Sequence, residues 1–166
     1  MITRCGIALG SNLNSPHSQI LEGVRLLRQI AEPEQAFLEA SIYRTAPLDC
    51  PDGSPEFLNT VVEIGWAGTP RQLLEITRQI EVDAGRRRSG VRNAPRTLDL
   101  DLIYCGNLVI DEPDLQIPHP RAMERRFVLV PLAEIRPALI LPGQGLSVAE
   151  LLARLPEQPS ESVIPL

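Results

Sequence analysis

The stretch Arg96-Thr97-Leu98-Asp99-Leu100-Asp101-Leu102-Ile103-Tyr104 alternates polar and apolar side chains from Thr97 to Leu102. On a strand, successive side chains point to opposite faces. Leu98, Leu100 and Leu102 then share one face, and Thr97, Asp99 and Asp101 share the other. Aspartate is a poor strand former, and neighbouring carboxylates on one face repel. A positive group is expected to compensate. Mg²⁺ suits the pair, because it takes carboxylate oxygens together with waters and substrate phosphates, and two such ions can be clamped between neighbouring acids. A solvated face with both acids paired to nearby arginines fits the same pattern.

Immediately upstream lie Arg86, Arg87, Arg88, Arg92 and Arg96. All 16 basic residues of this 166-residue chain are arginines, and the net charge is −5. Five clustered like charges repel unless an anion sits among them. Arginine's planar fork binds phosphate in bidentate fashion. Carboxylates for metal and guanidinia for phosphate, adjacent in sequence, are the two parts that phosphoryl transfer needs.

Further out, residues 4–9 alternate as a short first strand and end at the turn Gly10-Ser11-Asn12. Ser15 and Pro16 mark an N-cap and first helical position, and Ile20, Val24, Leu27 and Ile30 follow at helical spacing. The segment Phe37 to Thr45 reads as a second strand, and Phe57 to Ile64 as a third. Thr69, Pro70 and Gln72 spell a capping box for a second helix that stops at Gly85. Leu98 to Tyr104 is the fourth strand, with Gly106-Asn107 suiting a tight hairpin into Leu108–Ile110. Phe127 to Leu132 reads as a further strand with Pro131 at its end. Ser147 and Glu150 open a last helix.

The order strand, helix, strand, strand, helix, strand predicts an α+β, ferredoxin-like βαββαβ sandwich with extra C-terminal strands and helix. Its sheet is antiparallel, both helices lie on one face, and the other face is partly open. Residues 1–155 form the single domain, and 156–166 a loose Pro/Ser/Glu-rich tail.

On the third strand Phe57 and Asn59 share the open face with Asp99 and Asp101, while Leu58, Thr60, Val62 and Ile64 face the helices. An aromatic beside an amide suits a flat heteroaromatic ligand, stacked and read by hydrogen bonds. Phe57 packing under the loop from Pro47 to Pro55 suits the residues equally. His119, between Pro118 and Pro120, is placed either to contact phosphate or to serve as a partly buried structural histidine. Cys5, Cys50 and Cys105 are widely spaced, so a disulfide framework or zinc site is not expected. No signal peptide or membrane-length apolar run is present, and a cytoplasmic monomer is expected, without nucleic-acid or membrane partners.

The segment RNAPRTLDLDLI (92–103) closely resembles the signature of the 6-hydroxymethyl-7,8-dihydropterin pyrophosphokinase family. ALGSNL (8–13), SIYRTAPL (41–48), EFLNTVVEI (56–64) and IPHPRAMERRFVLVPLAEI (117–135) are similar to its other blocks, in the same order. The resemblance covers nearly the whole chain to about Leu152. It implies a ferredoxin-like fold and transfer of the β,γ-diphosphate of ATP to the pterin's hydroxymethyl oxygen in folate biosynthesis, with release of AMP. By the same resemblance, Asp99 and Asp101 hold two Mg²⁺ ions. Arg86, Arg88 and Arg96 stabilise the phosphates with help from His119 and Arg125. Glu81 lies near ATP, and Leu102 and Leu115 flank the adenine. Asn59 reads the pterin's hydrogen-bonding edge, Phe57 and Phe127 sandwich its ring, and Thr45 and Leu48 offer backbone groups. Two positions depart from the pattern. Asn93 stands where some members carry a tryptophan that helps close the arginine loop, and Asp114 where some carry a basic residue on ATP.

Two other classes fit parts of the pattern. An RNA-binding module of similar topology needs exposed aromatics on the central strands, but the matching strand here carries two aspartates. Another Mg²⁺-dependent phosphoryl or nucleotidyl transferase with a different acceptor would share the paired aspartates.

Overall fold

The computed structural model describes residues 1–46, 52–85, 97–158 and 161–166. Strand β1 (Thr3–Ser11) carries Cys5, Ile7 and Leu9 on one face and small residues, Gly6, Ala8 and Gly10, on the other. Helix α1 (Pro16–Ile30) follows, with Pro16 in its first turn and Ile20, Val24 and Leu27 buried. Ser15 does not cap it with its side chain; its backbone is left-handed, at φ 61°. The expected second strand is two short pieces, β2 (Leu38–Glu39) and β3 (Tyr43–Thr45). Between them the backbone pauses where Glu134 takes the Ser41 N–H and hydroxyl, at 3.0 and 2.8 Å. Strand β4 (Phe57–Trp66) leads to helix α2 (Pro70–Asp83). The Thr69 capping box forms: the Gln72 N–H donates to Thr69 Oγ1 at 3.2 Å, and the Thr69 N–H to Gln72 Oε1 at 2.8 Å.

Strand β5 (Asp99–Cys105) comes next. The Gly106-Asn107 turn does not make the expected hairpin with it. Strand β6 (Ile110–Glu112) pairs instead with β7 (Leu115–Ile117), turning at Pro113-Asp114. The stretch from Phe127 is not a strand but part of helix α3 (Arg126–Ile135). Its β-branched and aromatic residues favour strand locally, yet Val128, Leu129 and Leu132 recur at helical spacing and are buried. Pro131 sits inside the helix, where it forfeits one backbone bond, and burial of that apolar face offsets the loss. Helix α4 (Val148–Arg154) carries the second capping box, and strand β8 (Val163–Pro165) closes the chain. The tail expected to be loose therefore contributes a strand.

The main sheet runs β5-β1-β4-β3-β8, with β2 pairing β4 beside it, and every pair is antiparallel. Helices α1 and α2 cover the face that carries Cys5, Ile7, Leu9, Val62, Ile64, Leu98, Leu100 and Leu102. Helices α3 and α4 cover part of the opposite face, against Val61, Ile103 and Tyr104. The expected open face is thus half covered.

Two details of β1 shape that second face. Gly6 pairs with Tyr104 and Ile7 with Leu102, so Ile103 is an extra residue that forms a bulge. The Tyr104 ring then lies over Gly6, where a Cβ would come within 2.2 Å of it. Its hydroxyl donates to Glu63, which is fully buried. Glu63 also accepts from Arg4 Nε at 2.8 Å and from an Arg136 nitrogen at 2.6 Å. Burial, then the Glu63 charge, pushes the Tyr104 phenol well above its ordinary range. Cys5 and Cys105 face each other across β1 and β5 as buried free thiols. Cys50 lies outside the described residues.

Candidate active site

The uncovered part of the second face is a cleft of about 790 Å³. Its floor follows from register. Asp99 pairs with Gly10, Gly10 with Asn59, and Asn59 with Tyr43, so these four residues form one row across β5, β1, β4 and β3. Residues opposed in this way share a face. Two strand spacings, about 10 Å, separate the Asp99 and Asn59 backbones. Only Gly10 stands between them. A Cβ there would sit 3.1 Å from Asn59 Oδ1, so the glycine keeps the floor open between the acid and the amide.

At the β5 end, Asp99 and Asp101 line the cleft from one strand and one face, half buried, as the alternation predicts. Glu81, buried near the end of α2, accepts the Leu100 N–H at 2.7 Å. The carboxylate of α2 thereby holds the backbone of β5 between the two aspartates. Leu102 and Leu115 are buried together and reach the cleft at this end. His119 is anchored by its own N–H to the Ile103 carbonyl at 2.7 Å, and its Nδ1 accepts the Arg121 N–H at 3.2 Å. Burial first, then the charges of Arg125 and Arg121, holds the His119 pKa below its ordinary value, against the opposing pull of Asp99. The ring is therefore neutral at pH 7, and with Nδ1 accepting, its proton sits on Nε2.

At the β3 end, Asn59 is buried and donates from Nδ2 to Thr45 Oγ1 at 2.7 Å. Phe57 pairs with Thr45 across the strands, and both line the cleft. Phe127 enters from the first turn of α3 with the Arg125 guanidinium 5.5 Å from its ring centre. It reaches the cleft from a helix rather than from the strand expected for it. Glu134, two turns further along the same side of α3, accepts the Tyr43 hydroxyl at 2.6 Å. Burial, then that bond, pushes the Tyr43 phenol up to about 12.

The cleft thus gathers Glu81, Asp99, Asp101, Leu102, Leu115, His119 and Arg125 at one end, and Thr45, Phe57, Asn59 and Phe127 at the other. Leu48, Arg86, Arg88, Asn93 and Arg96 lie outside the described residues. Asp114 also lines the cleft, but Arg71 at 2.7 Å and Arg78 at 3.3 Å hold its carboxylate. Arg78, Gly10 and Val163 were not foreseen as lining residues. Arg78 is one helical turn before Glu81, a signal the sequence does carry. The roles of Gly10 and Val163 follow only from strand register.

The sequence model of 7,8-dihydro-6-hydroxymethylpterin-pyrophosphokinase matches residues 6–137. The 2-amino-4-hydroxy-6-hydroxymethyldihydropteridine pyrophosphokinase of Pseudomonas aeruginosa is 40% identical over 157 residues, covering 94% of each chain. The Bacillus subtilis protein of the same name is 45% identical over 129 residues, covering 78% of this chain and 75% of its own. Among solved structures, a Plasmodium falciparum HPPK-DHPS triple mutant crystallised with pteroate superposes with a TM-score of 0.69 at 12% identity. That match covers 93% of this chain and 43% of the longer Plasmodium chain, and it speaks for the fold alone. By sequence along most of its length, this chain belongs to the 7,8-dihydro-6-hydroxymethylpterin-pyrophosphokinase family.

Proposed function

We propose that the cleft carries out its family's reaction, with the nucleotide over β5 and the pterin over β3 and β4. The chain transfers the diphosphate of ATP to the hydroxymethyl group of 6-hydroxymethyl-7,8-dihydropterin, a step of folate biosynthesis, and AMP leaves. The observation that carries this reading is the row Asp99–Gly10–Asn59, which sets phosphate chemistry and ring recognition about two strand spacings apart on one floor.

Mg²⁺ fits the acidic end. Asp99 and Asp101 project from one strand face into the cleft. No group of three or more His, Cys, Asp or Glu among the described residues could hold a metal by itself. Two carboxylates with the remaining positions left to water and phosphate is the donor set that Mg²⁺ accepts. When bound, two such ions would offset charge on the phosphate tail. Asp99 and Asp101 would hold them, and Glu81 keeps the two aspartates in place through Leu100.

The other residues orient and bind. His119, protonated on Nε2, donates to a phosphate oxygen, and Arg125 adds positive charge beside it. Arg86, Arg88 and Arg96 are proposed to complete the phosphate contacts. Leu102 and Leu115 flank the adenine. Phe57 and Phe127 enclose the pterin ring, Asn59 reads its edge, and Thr45 fixes Asn59 while it and Leu48 present backbone groups. The hydroxymethyl oxygen then points across Gly10 toward the β-phosphorus, in line with the departing AMP oxygen. Catalysis rests on positioning and electrostatics.

The strand order and the two crossovers support a ferredoxin-like βαββαβ description of the fold, with residues 1–155 as one catalytic domain. We take the protein to act as a cytoplasmic monomer on small molecules; no helix among the described residues is long and apolar enough to cross a membrane. The test is to incubate the protein with ATP, Mg²⁺ and the reduced pterin alcohol. AMP with a diphosphorylated pterin is expected. ADP would mark an ordinary kinase and sink the proposal.

A further inference from the structure

The expected loose tail pairs with the sheet at the acceptor end of the cleft. Strand β8 runs antiparallel to β3, with Val163 opposite Thr45, Ile164 opposite Arg44 and Pro165 opposite Tyr43. The Leu166 N–H donates to the Ile42 carbonyl at 2.9 Å. On its other side β3 places Thr45 opposite Phe57. Val163, Thr45 and Phe57 therefore form a second row across three strands, parallel to the row that contains Asn59. All three line the cleft. Val163 is half-buried, whereas Ile164, on the opposite face, is 47% exposed.

We infer that Val163 is a specificity-determining side chain of the acceptor slot, supplying an apolar edge against a flat bicyclic heteroaromatic ring. The inference rests on reading this end of the cleft as the pterin end. Two members of the row, Thr45 and Phe57, are already assigned to that ring. A ligand spread over them extends toward the third, because neighbouring strands lie only about 5 Å apart. β8 also pairs β3 on its outer edge. Without it, three residues would hold Thr45 through one neighbour alone, and short unpaired edge strands are weakly held. The strand thus both lines the slot and fixes the hydroxyl that orients Asn59.

The experiment measures equilibrium binding of the reduced pterin alcohol, with a non-hydrolysable ATP analogue present, and of the analogue alone. Val163→Trp fills the slot and is expected to weaken pterin binding by at least about tenfold, while analogue affinity stays unchanged. Ile164→Thr, facing away from the cleft, is expected to alter neither. If Val163→Trp does not melt cooperatively, Val163→Ala takes its place, with an expected loss of about three- to tenfold for the pterin alone. Unchanged pterin binding in the folded Val163 variant overturns the inference. So does an equal loss for both ligands, or the same loss in Ile164→Thr, since each would reduce β8 to general support. AMP release by the parent protein is followed in parallel. An active parent with a silent Val163 variant overturns this inference only, whereas a parent that neither binds pterin nor releases AMP overturns the reaction as well.

Discussion

Glu81 Oε1 accepts the backbone N–H of Leu100 at 2.7 Å, so a buried carboxylate on α2 grips β5 at the residue between Asp99 and Asp101. Glu81→Leu leaves that N–H without an acceptor and is expected to cost about 1–3 kcal/mol in urea unfolding. It should also raise the KM for ATP, because the strand bearing both aspartates is released. Glu81→Gln keeps an acceptor oxygen and should lose less on both counts. Equal stability of the leucine and glutamine variants would contradict this role.

Asp99→Asn and Asp101→Asn should each lower kcat by about a hundredfold or more, in line with the loss of an electrostatic contact at a reacting phosphate. Both variants should still melt cooperatively, since neither aspartate belongs to the two apolar cores. Steady-state kinetics and calorimetry on the same preparations check both halves. Near-parental turnover in either variant would remove the phosphate end of the proposal.

Asn59→Ala removes the buried amide, and Gly10→Ala places a methyl 3.1 Å from its oxygen. Both should raise the pterin KM by about tenfold, equivalent to roughly one buried hydrogen bond. The KM for ATP should barely move. A change confined to ATP would show the two ends of the cleft to be assigned in reverse.

His119 is a base whose folded pKa lies below its unfolded value, through burial and then Arg125 and Arg121. The unfolded chain therefore binds more protons as pH falls through about 6.5. Its contribution to stability is complete above that pH and is lost on going down toward the folded pKa. Urea midpoints measured between about pH 7 and pH 5 should fall less steeply in His119→Gln than in the parent. An NMR titration should place the His119 midpoint below about 6.5.

Glu63 has no exposed surface and meets Arg4, Arg136 and the Tyr104 hydroxyl. Glu63→Ala leaves two guanidinia together around a cavity and is expected to cost about 3–5 kcal/mol. Tyr104→Phe loses one hydrogen bond to a charge and should cost about 1.5–3 kcal/mol. Chemical denaturation reports both. Glu63 lies four residues along β4 from Asn59, so the folded fraction of each variant should keep parental KM values.

How far this was legible in the sequence depends on the range of the deciding contact. Asp99 and Asp101, like Phe57 and Asn59, could be assigned to one side of a strand because alternation is local. The capping box at Thr69 was legible for the same reason. Residues 127–132 were misread because Phe127, Val128 and Val130 favour strand one by one, while the contact that makes them helical is with Val61 and Tyr104, far away in the chain. The role of Glu63 is not legible locally, since its partner Arg136 is 73 positions distant. Gly10 and Val163 acquire meaning only when strand register puts them beside Asn59 and Thr45.

The extra residue at Ile103 acts as a phase shift within a single strand. Before it, odd positions aim their side chains toward the reactants; after it, an even position, Tyr104, aims the same way and reaches Glu63. Removing Ile103 would restore strict alternation and leave Asp99, Asp101 and Tyr104 on the same face, but it would take a buried side chain out of the second core and remove the carbonyl that anchors the His119 N–H. A strand otherwise tolerant of apolar exchanges should therefore reject any change of length at this point, and a deletion scan through 98–105 should find activity and folding failing together.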